Sequence, residues 1–483
     1  MAKQERYSWL RDRAEEKFRA VCEMQEKGLI CLDGDFVPSV HYPPITQYPK
    51  VSQDYILGDY TVPDDGMIDI YVHIPFCARH CLFCHYPGKT GPQTEEKDKY
   101  LSYLEREMDL YLTVLGLRQL KPRSILLGGG TPTYFTPGQL TRFLDFFVKR
   151  VDFSACKQFN VDLDPDSIMD EDGMRRMEIM RDHGVDRLTI GVQSLNDDVL
   201  KLMNRGHSAQ RAVKAVERSV NMGFQTNAEF IYGHPGQTFE NWVDTVDDAV
   251  KLPAHELQFY RLKVQAYGDR QGAIIQNRTG QNKVPIPDFK QTMMMKQASY
   301  DILSENGYHE NLRRVFSRQS KIFSHYAYNQ CCNLYDQIGF GLSAFSSYRD
   351  RFALNTQSFE EYYHRIDEGM LPVNRGYMRN REQQARWAII LPLKNRSVIK
   401  RDYEKTTGYA FDRVFTRKVE KLVRNGLIED NGKVVSLTPL GRFLADEVAE
   451  QFNSNEFLPF PRSNYAEGEL NPYWDNEWTD PAE

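Results

Sequence analysis

"MIDIYVHIPFCARHCLFCHYPG", residues 67–88, runs a strand-like segment directly into three of the chain's eight cysteines. Ile68, Ile70, Val72 and Ile74 alternate with Asp69, Tyr71 and His73, the two-residue period of a strand. Cys77, Cys81 and Cys84 follow with three and then two residues between them. Three thiolates are one short of the set that closes a structural zinc or an iron–sulfur site. Zinc would take its fourth ligand from His80 or His85, but both adjoin cysteines too closely for easy tetrahedral geometry. A disulfide suits an oxidising compartment, and chance clustering fits poorly with the position directly after a strand. A cluster with one iron left open by the protein is the favoured reading.

Outward from this stretch the pattern repeats. "SILLGGG" (124–130), "QFNVDLD" (158–164), "RLTIGVQ" (187–193), "TNAEFIYG" (226–233) and "ELQFYRLKV" (256–264) read as further strands. Helical segments are expected over 95–115, 137–151, 169–183, 209–222 and 239–251, with Gly184 and Gly223 as left-handed C-caps. Six βα units in a row imply a parallel α/β sheet with right-handed crossovers, either open and doubly wound or curved into a partial barrel. In both, functional groups lie just beyond the strand C-termini, where the cysteines stand.

At 483 residues the chain has room for a barrel-sized domain with smaller flanking units. Its 41% hydrophobic and 27% charged composition is that of a globular enzyme. A net charge of −6 offers no general attraction to nucleic acid or an anionic membrane. The charged amino terminus lacks the apolar core of a signal peptide, and no run of about 18 apolar residues suggests a membrane span. Reduced cysteines and a cytoplasmic location are therefore expected.

Residues 1–65 form an N-terminal extension, one amphipathic helix and a proline-rich stretch, which either covers the site or, by default, wraps the domain. Residues 66–379 comprise the barrel and a following α/β segment. Residues 380–452 suggest a winged-helix-like α+β module: a helix carrying Phe411, Val414, Phe415, Val419 and Leu422, a hairpin turning at Asn431-Gly432, and a closing helix. Its basic residues are interleaved with acidic ones, which favours packing over DNA binding. The tail, 453–483, has seven acidic residues against one basic and enough aromatics to dock on the body or on a partner.

The open iron of a three-thiolate cubane would accept a bidentate amine–carboxylate ligand, and the methionine end of S-adenosylmethionine (SAM) supplies one. Electron transfer into its sulfonium would cleave a carbon–sulfur bond and leave a 5′-deoxyadenosyl radical. "CARHCLFC" after "YVHIPF" resembles the signature of radical SAM enzymes. "LLGGGTPTYF", "RLTIGVQSLNDDVLKLMNRGH", "NAEFIYGHPGQT", "IGFGLSAFS" and "LTPLGRF" extend the resemblance, between about residues 66 and 452, to the oxygen-independent coproporphyrinogen III oxidase-like family.

The resemblance implies a partial (β/α)6 TIM-like barrel in which Cys77, Cys81 and Cys84 ligate a [4Fe–4S] cluster. Tyr71 and Phe83 would line the SAM site, and Gly129, Gly130 and Thr131 would hold its amino and carboxylate groups. The three glycines ending a strand independently suit close backbone approach to a zwitterion, although a plain turn has the same composition. Gln193 and Arg205 match positions near the cofactor. Asp162 and Glu229 stand where the family usually has Glu and Asp, respectively, so each keeps a carboxylate with altered reach. A second SAM is implied near Phe340 and Ala344, a stretch that also reads as a buried strand and turn.

Coproporphyrinogen oxidases of the family carry a further cysteine where this chain has Tyr86, and "CHYPG" resembles the methylase and cyclopropanase branch. The leading expectation is therefore a C-methyltransferase or cyclopropane-forming enzyme that uses two SAM molecules on an sp2 carbon of an unsaturated or aromatic small molecule. Tyr260, Glu229, His85 and Tyr86 are the candidate proton acceptors by position. The alternative is oxidative decarboxylation of a porphyrinogen propionate, with Arg261, Lys263, Arg313 and Arg314 available for carboxylates, or haem handling without turnover. A flavodoxin- or ferredoxin-type electron donor is implied in the enzymatic cases.

Overall fold

The computed structural model describes residues 2–37, 40–84, 86–262 and 284–478. Six strands, β1 (Asp69–Ile74), β2 (Ser124–Gly129), β3 (Gln158–Leu163), β4 (Arg187–Gln193), β5 (Gln225–Tyr232) and β6 (Glu256–Arg261), lie side by side in chain order, all parallel. Helices α1 (Thr94–Leu115), α2 (Pro137–Lys149), α3 (Glu171–Asp182), α4 (Ala209–Asn221) and α5 (Phe239–Ala249) connect them, close to the expected spans. Local sequence sets their ends. Thr136 and Gln139 form a capping box on α2, Ser208 caps α4, and Gly184 and Gly223 take up φ +85° and +88° before the next strands.

Alternation along each strand separates two buried layers. Ile70, Val72, Phe159, Val161, Leu188, Ile190, Ala228, Phe230 and Leu257 join the main hydrophobic core with the helices. The opposite parity places Asn160, Asp162, Arg187, Thr189, Asn227, Glu229, Glu256, Gln258 and Tyr260 on the other face. The interior of the partial barrel is therefore polar.

The sheet is longer than the sequence pattern suggests. A seventh parallel strand, Gln337–Phe340, pairs with β1 on its free side, Asp69 opposite Gln337 and Val72 opposite Phe340. Antiparallel strands extend both edges to twelve strands in all. Four residues containing a glycine give too short an apolar run to register as a strand in isolation.

The C-terminal unit begins with the helix Arg381–Asn395, whose residues Ala385 to Lys394 are all buried. A three-stranded sheet, Ser397–Ile399, Val434–Leu437 and Ile428–Asp430, includes the expected hairpin. The helix expected through Phe411–Leu422 is broken instead: Phe415 adopts φ +50°, and its ring meets Phe452 and Trp478 before helix Thr416–Arg424 begins. Lys394 and Lys418 are buried and Lys400 is paired with Asp412 and Asp430, so several of the module's basic residues are spent internally.

The extension and the tail pack on the body. Arg6 pairs with Asp247 at 2.7 Å, and Tyr7 donates to Asp244 at 2.7 Å. A second hydrophobic core unites Val21, Met24, Tyr42 and Tyr48 with Trp387, Ile389, Leu422 and Phe443. In the tail, Tyr465 bridges to Cys31 and Asn476 receives a hydrogen bond from Arg386 at 2.9 Å. Among the described residues, no helix is long and apolar enough to cross a membrane.

Candidate active site

The cysteine loop is closed at its base. Phe76 and Cys77 pair in parallel with Lys89 and Thr90, and Gly91 N–H reaches the Cys77 carbonyl at 3.0 Å. Leu82 N–H donates to Met203 O at 3.1 Å and Asn204 Nδ2 to His80 O at 2.7 Å, which docks the loop on the segment after β4. Phe83 packs with Val199, Met203, Ile231 and Tyr260. Cys77, Cys81 and Cys84 are free thiols, half-buried. Burial pushes Cys77 up to about 11 and also raises Cys84, and the neighbouring sulfurs add to both shifts. A cationic iron centre would offset that penalty. Among the described residues, no group of three His, Cys, Asp or Glu converges as it would on a single ion, and His80 is exposed.

The glycine turn leans on this loop. Gly130 N–H donates to Ile74 O at 2.8 Å, Thr131 N–H to Phe76 O at 2.7 Å, and Thr131 Oγ1 lies 3.6 Å from Cys77 Sγ. A Cβ on Gly130 would sit 2.6 Å from Phe76 O, and one on Gly129, at φ +99°, 2.7 Å from the His73 ring. These backbones approach too closely for any side chain. Arg205 spans the other side: Nη1 donates to Cys81 Sγ at 3.1 Å, and Nη2 to Gly191 O and Asp164 Oδ2 at 2.6 Å each. Arg205 Nε and Gln193 Oε1 are buried without partners, and Gln193 itself bends at φ +68° where β4 bulges against β5. Two orphaned polar atoms and a side-chain-free turn beside three thiols fit a cluster plus a small zwitterionic ligand.

Deeper in the barrel, Arg187 grips Glu256 through two bonds of 2.9 and 2.8 Å and reaches Asn160 and Thr189 at 2.9 Å each. Above that floor, Asn160 donates to Asp162 at 2.9 Å and Tyr260 OH to Glu229 at 3.4 Å. Burial pushes the Asp162 carboxyl up to about 6 and that of Glu229 to about 8, the latter helped by repulsion from Asp162. Both effects favour the protonated form of Glu229. Tyr260 is raised well above its ordinary value by burial and by Glu229, which favours a hydrogen-bond donor over a base. Tyr71 OH lies 2.9 Å from His73 Nδ1, and burial lowers His73 to about 4, so the imidazole is neutral.

Several expected residues sit elsewhere. Phe340 packs edge-on against Tyr111 of α1, in the helix-side core, because strand parity turns it away from the polar interior. Ala344 is buried in the turn that follows. Arg313 and Arg314 are both bound to Asp446 of the C-terminal unit. Arg261 lies between Phe36 and Phe289, donates to Gly34 O at 3.1 Å, and among the described residues leaves its Nε unpartnered. Tyr86 is half-exposed, with its ring 6.2 Å from His73. His85 and Lys263 fall outside the described residues. Sequence reasoning did not single out His73, Arg187 or Glu256; their polar side chains at strand positions otherwise rich in apolar residues were the available signal.

Residues 71–249 match the Radical SAM superfamily, and residues 380–444 match the HemN C-terminal domain. The barrel has a fold of the radical SAM type. The heme chaperone HemW of Bacillus subtilis is 28% identical over 393 residues, 80% of this chain and 99% of that protein. The oxygen-independent coproporphyrinogen III oxidase of Escherichia coli K12 is 26% identical over 404 residues, 80% of this chain and 85% of that protein. The solved structure of the E. coli coproporphyrinogen III oxidase HemN superposes with a TM-score of 0.73 at 24% identity, covering 85% of this chain and 96% of that one. These relatives overturn the expectation of a methylase or cyclopropanase acting on a natural product. That expectation rested on a few residues around Tyr86, whereas the similarity to haem-related proteins runs over four-fifths of the chain. A radical SAM domain implies a [4Fe–4S] cluster and SAM, and the thiols, glycine turn and orphaned atoms of this site suit both.

Proposed function

We propose that this protein applies radical SAM chemistry to a carboxylate-bearing tetrapyrrole, with oxidative decarboxylation of a porphyrinogen propionate as the reaction. Cys77, Cys81 and Cys84 would hold the cluster, and Gly129, Gly130 and Thr131 the amino-acid end of SAM, with Gln193 and Arg205 completing the cradle. When bound, that pair supplies one-electron cleavage of a sulfonium and hence hydrogen-abstracting power. The protein's own share is positioning. Tyr71, Tyr260 and Tyr326 offer flat faces and hydroxyls around the interior, and Tyr326 lies 6.4 Å from Tyr71. Glu229 would hold a proton at the substrate's edge, and Asp162 would serve as the ionised neighbour. Arg261, at the end of β6 with an unused Nε, is suited to anchor a propionate.

The observation that carries this reading is the similarity, along most of the chain, to proteins named for coproporphyrinogen and for heme. A second reading, haem handling without turnover, draws support from Tyr86, which replaces the additional cysteine expected of the oxidases. A flavodoxin- or ferredoxin-type donor would serve the enzymatic reading. Anaerobic incubation of reconstituted protein with coproporphyrinogen III, SAM and a reductant separates the two. Carbon dioxide and 5′-deoxyadenosine in step with vinyl product support decarboxylation; stoichiometric haem binding without 5′-deoxyadenosine supports handling. Absence of binding to both haem and coproporphyrinogen III would remove the tetrapyrrole assignment.

A further inference from the structure

The turn at residues 341–343, the centre of "IGFGLSAFS", is held by an unusual device. It places two residues in the left-handed region, Gly341 at φ +97° and Ser343 at φ +58°. The serine carries a conformational cost there that an extended chain would avoid. Gly341 admits no side chain, since a Cβ would lie 2.4 Å from the Tyr100 hydroxyl and 2.5 Å from the His73 carbonyl oxygen.

Two side chains of α1, two turns apart on one face, grip this turn. Glu107 accepts the Gly341 N–H at 2.7 Å, together with Asn355 Nδ2 at 2.9 Å and the Tyr362 hydroxyl at 2.6 Å. Tyr100 accepts the Leu342 N–H at 3.0 Å and donates to the His73 carbonyl at 2.7 Å. The outcome is that Ser343 Oγ stands 3.5 Å from His73 Nε2. Glu107 is fully buried, and burial pushes it up to about 8. Among the described residues, the titratable groups facing it are the hydroxyls of Tyr100, Tyr111, Tyr348 and Tyr362. A buried carboxyl that accepts three hydrogen bonds is an expensive way to hold a turn whose shape has no consequence.

The consequence lies at His73. Nε2 faces Pro87 O at 3.4 Å, a carbonyl that can only accept, and this places the ring proton on Nε2 and leaves Nδ1 to accept from Tyr71 OH at 2.9 Å; Ser343 Oγ stands beside the same Nε2. The same ring occupies the space over Gly129 that a side chain would fill. His73 therefore touches the cluster loop, the glycine turn and the 341–343 turn at once.

We propose that Glu107 is a positioning residue of the SAM site: by gripping the 341–343 turn from the helix layer it holds Ser343 against His73, which fixes the imidazole over Gly129. This rests on the assignment of Gly129–Thr131 to SAM. Ser343 is the second member of the device, its hydroxyl 3.5 Å from His73 Nε2.

Three variants test it: Glu107→Leu, Glu107→Gln, which keeps an oxygen for the Gly341 N–H, and Ser343→Ala, which removes one atom from a half-buried turn. Two quantities are read. The first is diethyl pyrocarbonate labelling of His73 in cluster-free protein, mapped by peptide mass spectrometry. The second is the dissociation constant of SAM for anaerobically reconstituted protein, with iron content as control. Glu107→Leu and Ser343→Ala are expected to label His73 several-fold faster and to weaken SAM by about 10-fold, the scale of one buried hydrogen bond, at unchanged iron content. Glu107→Gln is expected to stay near wild type in both. If Ser343→Ala matches wild type in both readouts, or Glu107→Gln behaves as Glu107→Leu does, the proposal is overturned. If Glu107→Leu fails to fold, Ser343→Ala and Glu107→Gln still decide it. Wild-type protein that binds no SAM would remove the cofactor assignment and the SAM-site role with it, while the labelling would still report whether the turn orients His73.

Discussion

Replacing Glu256 with alanine would strip the counter-charge from Arg187 at the floor of the barrel. The two side chains are 0% and 3% exposed, and they share bonds of 2.9 and 2.8 Å. After truncation Arg187 keeps Asn160 Oδ1 and Thr189 Oγ1 at 2.9 Å each, but Gln225 Nε2 also loses its acceptor at 2.7 Å. Two charge-assisted bonds at about 1.5–3 kcal/mol each, and a cation left uncompensated, set the expected cost at about 3–5 kcal/mol. Removing both charges in Arg187→Met/Glu256→Leu leaves no stranded ion, so the double variant should cost less than Glu256→Ala alone. The assay is a double-mutant cycle of Arg187→Met, Glu256→Leu and the double variant, with Glu256→Ala alongside, read by anaerobic urea unfolding of cluster-free protein, followed by far-UV circular dichroism. A cost for Glu256→Ala below about 1 kcal/mol, or single-variant costs that simply add in the double, would refute the view that this pair is a coupled, desolvated unit. The same change reaches the site above. Arg187 already lowers Asp162 and Glu229, so without Glu256 to offset it both carboxyls should ionise at lower pH.

Gly130→Ala is expected to drive a methyl group against Phe76 O and Ile74 O, which lie 2.6 and 2.8 Å from its ideal position and, as backbone, cannot turn aside. SAM affinity measured by equilibrium dialysis should fall by at least about 10-fold, and unchanged affinity would show that the turn does not contact the cofactor. Glu229→Gln bears on pH. Because burial raises Glu229 to about 8, the folded chain retains a proton that the unfolded chain loses near pH 4.5, so its contribution to stability is present at low pH and is lost as pH rises through about 8. The variant should flatten the fall in melting temperature between pH 5 and pH 8, and a slope equal to that of wild type would contradict the raised pKa.

Much of the frame was readable from residue order. The period-two runs from "DIYVHI" to "ELQFYR" and the capped helices between them follow from which residues favour which backbone, and the cysteine spacing follows from nothing else. The seventh parallel strand was hidden, because four residues cannot display a period and Gln337–Phe340 acquires its pairing only from β1. The setting of Phe340 was hidden for a related reason: the motif names the residue, but strand parity decides that its ring meets Tyr111. The methylase expectation failed because it weighed a single position, Tyr86, against similarity spread along the chain.

Sequence alone determined the alternation of strand and helix, the three-thiolate loop and the glycine turn, since each depends on neighbours a few residues apart. Only the tertiary structure decided which polar groups face one another across the barrel. Arg187 and Glu256 are 69 residues apart, Glu107 and Gly341 are 234 apart, and what joins each pair is sheet register and helix packing. Those long-range contacts set the burial that raises the Glu229 carboxyl and lowers the His73 imidazole, and burial is a property of the folded interior that no local pattern encodes.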